Sequence, residues 1–284
     1  MTLAARTRTF LGAGHHLWLG LALIALFWPL NWFLPGTPTM YLFFPLWLGY
    51  ALAVDGLVLR RRGDSLLVRH GVRGYAMLFA ISVVAWWAFE AVNARTGNWA
   101  YVGADQVGPV AYALLSSLSF STVIPAVLGT AELVRSFGWV ERLGRGPRIA
   151  PTRGVLLAFT GIGAAMLVLV LAWPTWFYPL VWGAGYLLLE PLNAALGRPL
   201  LLDWLRRGDW RPVVSLGLGA LITGFFWEFW NFFSFPKWTY HTPGVEFAHL
   251  FEMPALGYLG YPPFALELFA LLQLLAWRPV RLRL

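Results

Sequence analysis

The amino-acid sequence predicts an all-α integral membrane protein of eight transmembrane helices, built as two parallel four-helix repeats. Three observations lead to this: long apolar segments, basic residues confined to alternate loops, and landmarks that recur in the second half. Of the 284 residues, 59% are hydrophobic and 12% are charged, whereas a soluble domain carries roughly 25% charged residues. The chain has no cysteine, which excludes disulfides and thiolate chemistry.

Eight segments are long and apolar enough to cross a bilayer, which takes about 20 residues each. The predicted spans are residues 17–34, 41–59, 75–94, 110–134, 154–173, 177–196, 213–233 and 255–277. The first span follows a short basic segment, but its apolar run is longer than that of a signal peptide. We therefore expect it to be retained as a membrane helix.

Basic residues give the predicted orientation. All but two of the 21 Arg and Lys residues fall on segments that share one membrane face if the N-terminus is inside; the exceptions are Arg95 and Lys237. Positive charge collects on the cytoplasmic face, so we expect both termini to be cytoplasmic. The net charge of +8 then reflects topology, and nucleic acid is not an expected partner. Lys237 is the only lysine, which indicates a high-GC bacterial source and a multi-pass protein of the bacterial cytoplasmic (inner) membrane.

The second half of the chain repeats landmarks of the first half in the same order. The matched segments are 43–46 with 177–180, 61–64 with 206–209, 90–93 with 228–231, 99–101 with 238–240, and Pro125 with Pro263. These matches divide the chain into residues 1–153 and 154–284, two repeats of one membrane domain. Because each repeat has four predicted helices, both enter from the same side, and a site is expected at the repeat interface.

Carboxylates inside predicted spans are the candidate catalytic groups, because ionisable residues within a membrane are costly and usually functional. Glu90 and Glu228 lie at matched depths, and each is followed three residues later by an asparagine on the same helix face, Asn93 and Asn231. Glu267 lies near the middle of the last span. The alternative is that these carboxylates only form hydrogen bonds between helices.

Small residues on the seventh span predict how the two main carboxylates are arranged. Gly217 and Gly224 share a face with Glu228, and small residues mark close helix contacts in membranes. We therefore expect the third and seventh helices to pack together, with Trp86 or Phe79 of the third helix filling the space beside the glycines. Glu90 and Glu228 would then be neighbours that share a proton, since two close carboxylates cannot both ionise cheaply.

Aromatic residues near the same ends of the spans are predicted to bind an apolar substrate. They are Trp86, Trp99, Tyr101, Trp227, Trp238 and Tyr240. These rings are also typical of the belt that membrane proteins place at the bilayer surface.

Two weaker patterns concern loops. Paired arginines suit the phosphate of a lipid headgroup, although they also serve as topology signals; they are Arg61, Arg62, Arg206 and Arg207. If the last outer loop is helical, Glu246, His249 and Glu252 share one face and could bind a metal together with His241. This set is His241, Glu246, His249 and Glu252, and its segment could instead lie along the interface as an amphipathic helix.

Short segments resemble known bacterial membrane proteins. Glu90 followed by Thr96 and Gly97 resembles the Glu-then-Thr-Gly pattern of the carotenoid hydratases, and duplicated helices with membrane carboxylates are similar to the small membrane-type lycopene cyclases. These resemblances imply chemistry on an isoprenoid, carotenoid-like substrate. The segments 227–231, 251–254 and 257–261 resemble a further group of bacterial polytopic membrane proteins, and this resemblance implies no activity.

Three functions remain open from the sequence. The first is a cofactor-independent enzyme, such as a lyase, hydratase, cyclase or isomerase, whose partner is a membrane lipid or apolar small molecule. The second is a proton-coupled transporter or channel with its site at the repeat interface. The third is a non-catalytic subunit of a membrane complex. No nucleotide-binding or metalloprotease motif occurs, and no cofactor is expected.

Overall fold

The computed structural model describes residues 14–34 and 36–284, and at Thr37 and Pro38 it describes the backbone alone. Arg6 and Arg8, part of the prediction that the N-terminus is inside, lie outside the described residues. The longer helices are α1 (His15–Phe33), α2 (Phe43–Arg62), α3 (Leu66–Thr96), α4 (Pro109–Phe120), α5 (Val123–Arg135), α6 (Arg153–Ala172), α7 (Val181–Ala195), α8 (Arg211–Asn231) and α9 (Tyr261–Leu275).

Seven helical segments within the described residues are long and apolar enough to cross a membrane. They correspond to α1, α2, α3, α4 with α5, α6, α8 and α9. Some of these segments also include an adjoining turn. The protein is therefore a multi-pass membrane protein made mainly of helices, as the sequence predicted.

The sixth predicted span is the one that the structure leaves short. α7 has 15 residues and follows a one-turn helix, Pro174–Phe177, and a 3₁₀ turn, Tyr178–Leu180. A spanning helix takes about 20 residues, and Pro191 inside α7 removes one backbone donor. The count of eight spans thus stays a prediction.

The fourth predicted span is broken where α4 ends and α5 begins. The hydroxyl of Ser82 on α3 donates to the Phe120 carbonyl at 2.6 Å and accepts from the Ile124 amide at 3.0 Å. A side chain inserted into the helical ladder in this way breaks it. Pro125, one of the repeat landmarks, adds to the break because it has no amide hydrogen.

The helices of the two halves pack in matched pairs. α1 packs on α2 as α6 packs on α7, and α2 packs on α5 as α7 packs on α9. α3 packs on α5 as α8 packs on α9, and the contacts that join the halves include those of α5 with α8, of α9 with α3 and of β1 with β2. Small residues permit the closest approaches: a Cβ on Gly219 of α8 would lie 2.7 Å from the Ala131 backbone nitrogen of α5. The boundary between residues 153 and 154 is not itself tested by these contacts and stays a prediction.

Two short strands join the ends of α3 and α8. β1 (Trp99–Val102) pairs antiparallel with β2 (Lys237–Tyr240), with Trp99 opposite Tyr240 and Tyr101 opposite Trp238. The register has two-fold symmetry, because the Trp of each Trp-x-Tyr segment faces the Tyr of the other. We call the end of the bundle that carries this strand pair the strand end, and the opposite end the arginine end.

Ionic contacts hold the arginine end together. Arg69 binds both carboxylate oxygens of Glu132, at 2.9 and 3.1 Å, and also contacts Asp64 at 2.9 Å. The last residues fold onto this cluster: the Arg283 amide donates to Glu132 at 2.8 Å, and its guanidinium contacts Asp64 at 2.9 Å. Glu141 and Asp209, at a second cluster, both pair with Arg211, which lowers the pKa of each carboxyl.

Candidate functional site

A cavity of about 470 Å³ lies at the strand end, beside the β1–β2 pair. Its walls come from α1 to α5, from α7 to α9 and from the connecting segments, and they are mainly aromatic and aliphatic. All six aromatic residues predicted to bind substrate line this cavity: Trp86, Trp99, Tyr101, Trp227, Trp238 and Tyr240. The repeat landmarks on β1 and β2 therefore converge on one apolar chamber, although their binding of a substrate stays a prediction.

Glu228 is the carboxylate of this cavity. Its side chain lines the cavity and has 0% of its surface exposed. Oε1 accepts hydrogen bonds from the Tyr240 hydroxyl at 2.6 Å, the Tyr261 hydroxyl at 3.0 Å and the Trp238 indole at 3.4 Å. Oε2 is buried and has no hydrogen-bond partner within the described residues. The two oxygens of one carboxyl group are thus in opposite situations.

Glu90 has an equivalent set of donors at the other strand. Its Oε1 accepts from the Tyr101 hydroxyl at 2.6 Å, the Trp86 indole at 2.9 Å and the Trp99 indole at 3.0 Å. Glu90 is half-buried and is not among the residues that line the cavity. Its effect on the cavity comes through these three rings, which it orients.

The tyrosines on the two strands are held in the protonated form. Burial, and then the nearby Glu90 carboxylate, raise the pKa of the Tyr101 hydroxyl well above its usual value. Burial and the Glu228 carboxylate do the same to the pKa of Tyr240. Because both hydroxyls keep their hydrogens, each stays a donor to its carboxylate.

The predicted contact between the third and seventh spans, which are α3 and α8 in the structure, is wrong. A Cβ on Gly217 would lie 3.3 Å from Pro262, and one on Gly224 would overlap Tyr261, so the small face of α8 packs on α9. Tyr261 fills the space that we assigned to Trp86 or Phe79. Glu90 and Glu228 share none of their hydrogen-bond donors, so the structure gives the shared proton no support.

Asn93 and Asn231 organise the backbone and do not face the cavity. Asn93 Oδ1 accepts from the amides of Asn98 and Trp99, and its Nδ2 donates to the Trp99 carbonyl at 2.8 Å. Asn231 bonds the amide and the carbonyl of Trp238 at 2.9 and 2.8 Å. Each asparagine ties the end of its helix to the strand that follows. The structure thus shows them positioning the strands, and their catalytic role stays a prediction.

Glu267 lies outside the cavity, in the contact between α9 and α7. It is 8% exposed, and its Oε2 has no partner within the described residues. Its carboxyl group occupies the place that a side chain at Gly185 would take. The structure therefore separates Glu267 from Glu228, with which it was grouped as catalytic.

The paired arginines do not form matched headgroup sites. Arg61 donates to the hydroxyl and carbonyl of Ser136, and Arg62 donates to the carbonyls of Arg135 and Arg283. These two therefore hold the chain at the end of α5. Their counterparts in the second half, Arg206 and Arg207, are exposed, and Arg206 lies 3.9 Å from Asp203.

The predicted metal site in the last outer loop is not formed. No group of three His, Asp or Glu side chains within the described residues is placed to hold a metal ion. The segment is not helical either, because His249–Leu250 (β3) pairs with Met253–Pro254 (β4) in a tight hairpin. His241 instead contacts Glu246 at 2.8 Å, Glu252 pairs with Lys237, and His249 is exposed.

No protein-family model, curated protein or solved structure matches the chain. Function therefore has to be argued from the cavity and its side chains.

Tyr261 and Asn31 are among the cavity residues that the sequence analysis did not identify. Tyr261, which donates to Glu228, could have been found from Gly224, because a glycine on the face of a buried carboxylate marks a bulky neighbour. Asn31 is an uncharged polar residue in the first predicted span and is 1% exposed. Its only signal is its place between aromatic residues, which are typical of any span near the bilayer surface.

Proposed function

We propose that this protein is an integral membrane enzyme that transfers a proton to or from an apolar lipid or isoprenoid, with Glu228 as the acid and base. One observation carries the proposal: a fully buried carboxyl lines an aromatic cavity, with three donors on one oxygen and, among the described residues, no partner on the other. An unpaired buried polar atom is costly. Such an atom in a cavity is an expected feature of a site that a ligand completes.

The geometry assigns a different task to each oxygen of Glu228. Tyr240, Tyr261 and Trp238 stabilise negative charge on Oε1 by hydrogen bonds. Oε2 is then the atom that gains or loses a proton when a substrate carbon or oxygen is within hydrogen-bond reach. The surrounding rings favour positive charge, since the faces of Trp and Tyr attract cations. A protonated double bond would be stabilised there.

Glu90 acts at a distance in this proposal. By accepting from Trp86, Trp99 and Tyr101, it fixes one wall of the cavity. The matched helix contacts and the symmetric strand register support an origin by duplication, in which one copy kept the reacting carboxylate. The resemblance to carotenoid hydratases and lycopene cyclases agrees with an isoprenoid substrate, and the distribution of arginine agrees with the bacterial inner membrane and cytoplasmic termini.

The test compares lipids from cells that express the wild type, Glu228→Gln, Glu90→Gln or Glu267→Gln, each at equal membrane levels. Glutamine keeps the size and one oxygen but cannot transfer the proton. We expect a lipid species that the wild type converts to accumulate with Glu228→Gln, and conversion to fall about 10²-fold or more. Mass spectrometry of the extracted lipids gives the readout.

Each other result has a distinct meaning. Loss of conversion with Glu267→Gln but not with Glu228→Gln would place the chemistry between α7 and α9 and overturn the assignment to the cavity. Identical lipids in all four strains would contradict an enzyme and return weight to transport or to a subunit role. Glu90→Gln is expected to weaken conversion less than Glu228→Gln, because Glu90 only positions the wall.

A further inference from the structure

Three buried polar atoms of residues that line the cavity have no hydrogen-bond partner within the described residues. They are Glu228 Oε2, Asn31 Oδ1 and the hydroxyl oxygen of Thr242. The orientation of the Asn31 amide is determined by its other end, because Nδ2 donates to the Trp230 carbonyl at 3.2 Å. A carbonyl can only accept, so the nitrogen must face it and the oxygen is the free atom.

The ring donors beside the two glutamates are already engaged. Tyr240, Tyr261 and Trp238 donate to Glu228, while the ring donors of β1 and α3 donate to Glu90. Of the unpartnered atoms, the Asn31 amide oxygen can only accept, and Glu228 Oε2 accepts whenever the carboxyl is ionised. A ligand that satisfies them must carry a hydrogen-bond donor.

The cavity also lacks the charge that a phosphate would need. None of the described residues that line it is Arg, Lys or His. Lys237 of β2 is next to the lining residue Trp238 in sequence, and it pairs with Glu252. Moving an ionised group into an apolar site without an opposite charge is expensive, and Glu228 would add repulsion. The polar end of the ligand is therefore uncharged.

We propose that the ligand of this cavity is a lipid or isoprenoid alcohol, and that Asn31 selects it by accepting the hydrogen of its hydroxyl group. This inference rests on the proposed function, since it names the class of molecule that enters the same cavity. A water-sized group fills about 30 Å³, so a cavity of about 470 Å³ holds roughly fifteen such groups. That is the size of a short isoprenoid chain, or of the hydroxyl end of a longer one.

The test uses four probes with the same fifteen-carbon chain: farnesol, farnesyl methyl ether, farnesene and farnesyl diphosphate. The ether keeps the oxygen of the alcohol but has no hydrogen to donate. Purified protein in lipid nanodiscs is loaded with tritiated farnesol, and each unlabelled probe competes in a scintillation proximity assay, with empty nanodiscs subtracted. We expect farnesol to bind about tenfold more tightly than the ether or the hydrocarbon, and the diphosphate to compete least.

Two variants separate recognition from folding. Asn31→Leu removes the free acceptor and should bring the affinities for farnesol and its methyl ether to within about twofold of each other, while farnesene still binds. Trp32→Phe is the matched control, because the Trp32 indole donates to the same Trp230 carbonyl at 3.3 Å but Trp32 does not line the cavity. Trp32→Phe should keep the preference for the alcohol.

The outcomes distinguish this inference from the function on which it rests. Equal affinity of the wild type for alcohol, ether and hydrocarbon would overturn the choice of an alcohol and leave an apolar cavity with a catalytic carboxylate. Tightest binding of the diphosphate would overturn the uncharged ligand. Failure of all four probes to bind would overturn the inference together with the apolar cavity as a binding site.

Discussion

At the scale of single residues, the environment of each buried carboxylate decides what it can do. Glu228 has donors on one oxygen and a cavity beside it, whereas Glu267 meets the backbone of α7 at Gly185. Sequence depth alone could not separate them, because both lie within apolar spans. What distinguishes Glu267 is Gly185 on the neighbouring helix α7. The position of Gly185 opposite Glu267 depends on how α7 and α9 cross.

We predict that Gly185→Ala destabilises the protein by about 1–3 kcal/mol, the usual cost of overpacking a well-packed contact. The added Cβ would overlap the Glu267 carboxyl group and lie 2.9 Å from its Cγ, so the whole side chain must move. The measurement is the free energy of unfolding in detergent by a denaturant titration.

Gly161→Ala is the control for this substitution. Gly161 lies in α6 and has nothing within 4 Å of an added Cβ, so no loss of stability is expected. In the double variant Gly185→Ala with Glu267→Ala, the shorter side chain removes the overlap, and the two changes should be less than additive. Strict additivity would show that the two residues do not compete for space.

At the scale of the elements, the strand pair is what the sequence analysis did not anticipate. The helices were predictable from long apolar runs, because a spanning segment must satisfy its own backbone. β1 and β2 have four residues each and lie roughly half the chain length apart in sequence, and no local pattern specifies such a partner. Their Trp-x-Tyr sequences were interpreted as substrate-binding rings or as an aromatic belt. The repeat of Trp-x-Tyr after each Glu-x-x-Asn was visible, but its geometry depends on Asn93 and Asn231.

We predict that the double variant Ala100→Cys, Thr239→Cys forms a disulfide when oxidised. Ala100 lies directly opposite Thr239 in the antiparallel pair. Opposed residues have Cα atoms about 4.5–5.5 Å apart, within the range of about 4.4–6.8 Å found in disulfides. Because the chain has no cysteine, any intramolecular bond must join the two introduced residues. The readout is a change in gel mobility that a reducing agent reverses.

A control pair tests the register of the strands. Ala100→Cys with His249→Cys places the second thiol on β3, which pairs with β4 and not with β1, so no bond is expected. Equal yields from both pairs would mean that the strand end is too mobile to hold a register. The cross-linked protein should keep its cavity, because Ala100 and Thr239 are not among the lining residues.

At the scale of the whole molecule, the orientation in the membrane and the number of crossings depend on α7. Charge on alternate loops predicts eight spans, because an odd number would place the arginines of the second half on both faces. The structure gives seven segments of sufficient length and leaves α7 at 15 residues, about 22 Å at the helical rise. The preceding turns from Pro174 to Leu180 would have to complete the crossing.

Labelling with a membrane-impermeant maleimide decides between seven and eight spans. We predict that single cysteines at Trp176→Cys and His249→Cys react from outside intact cells, and that Arg206→Cys reacts only after permeabilisation. Each of these sites is exposed, and the chain contributes no other thiol. Positions 176 and 206 flank α7, and positions 206 and 249 flank α8. If 176 and 206 react from the same side, α7 does not cross, and the parallel relation of the two repeats fails with it. If the labelling is reversed at all three positions, 176 and 249 react only after permeabilisation and 206 reacts from outside. The crossings then stand, but the orientation is inverted, and the cavity with Glu228 opens toward the cytoplasmic half of the membrane.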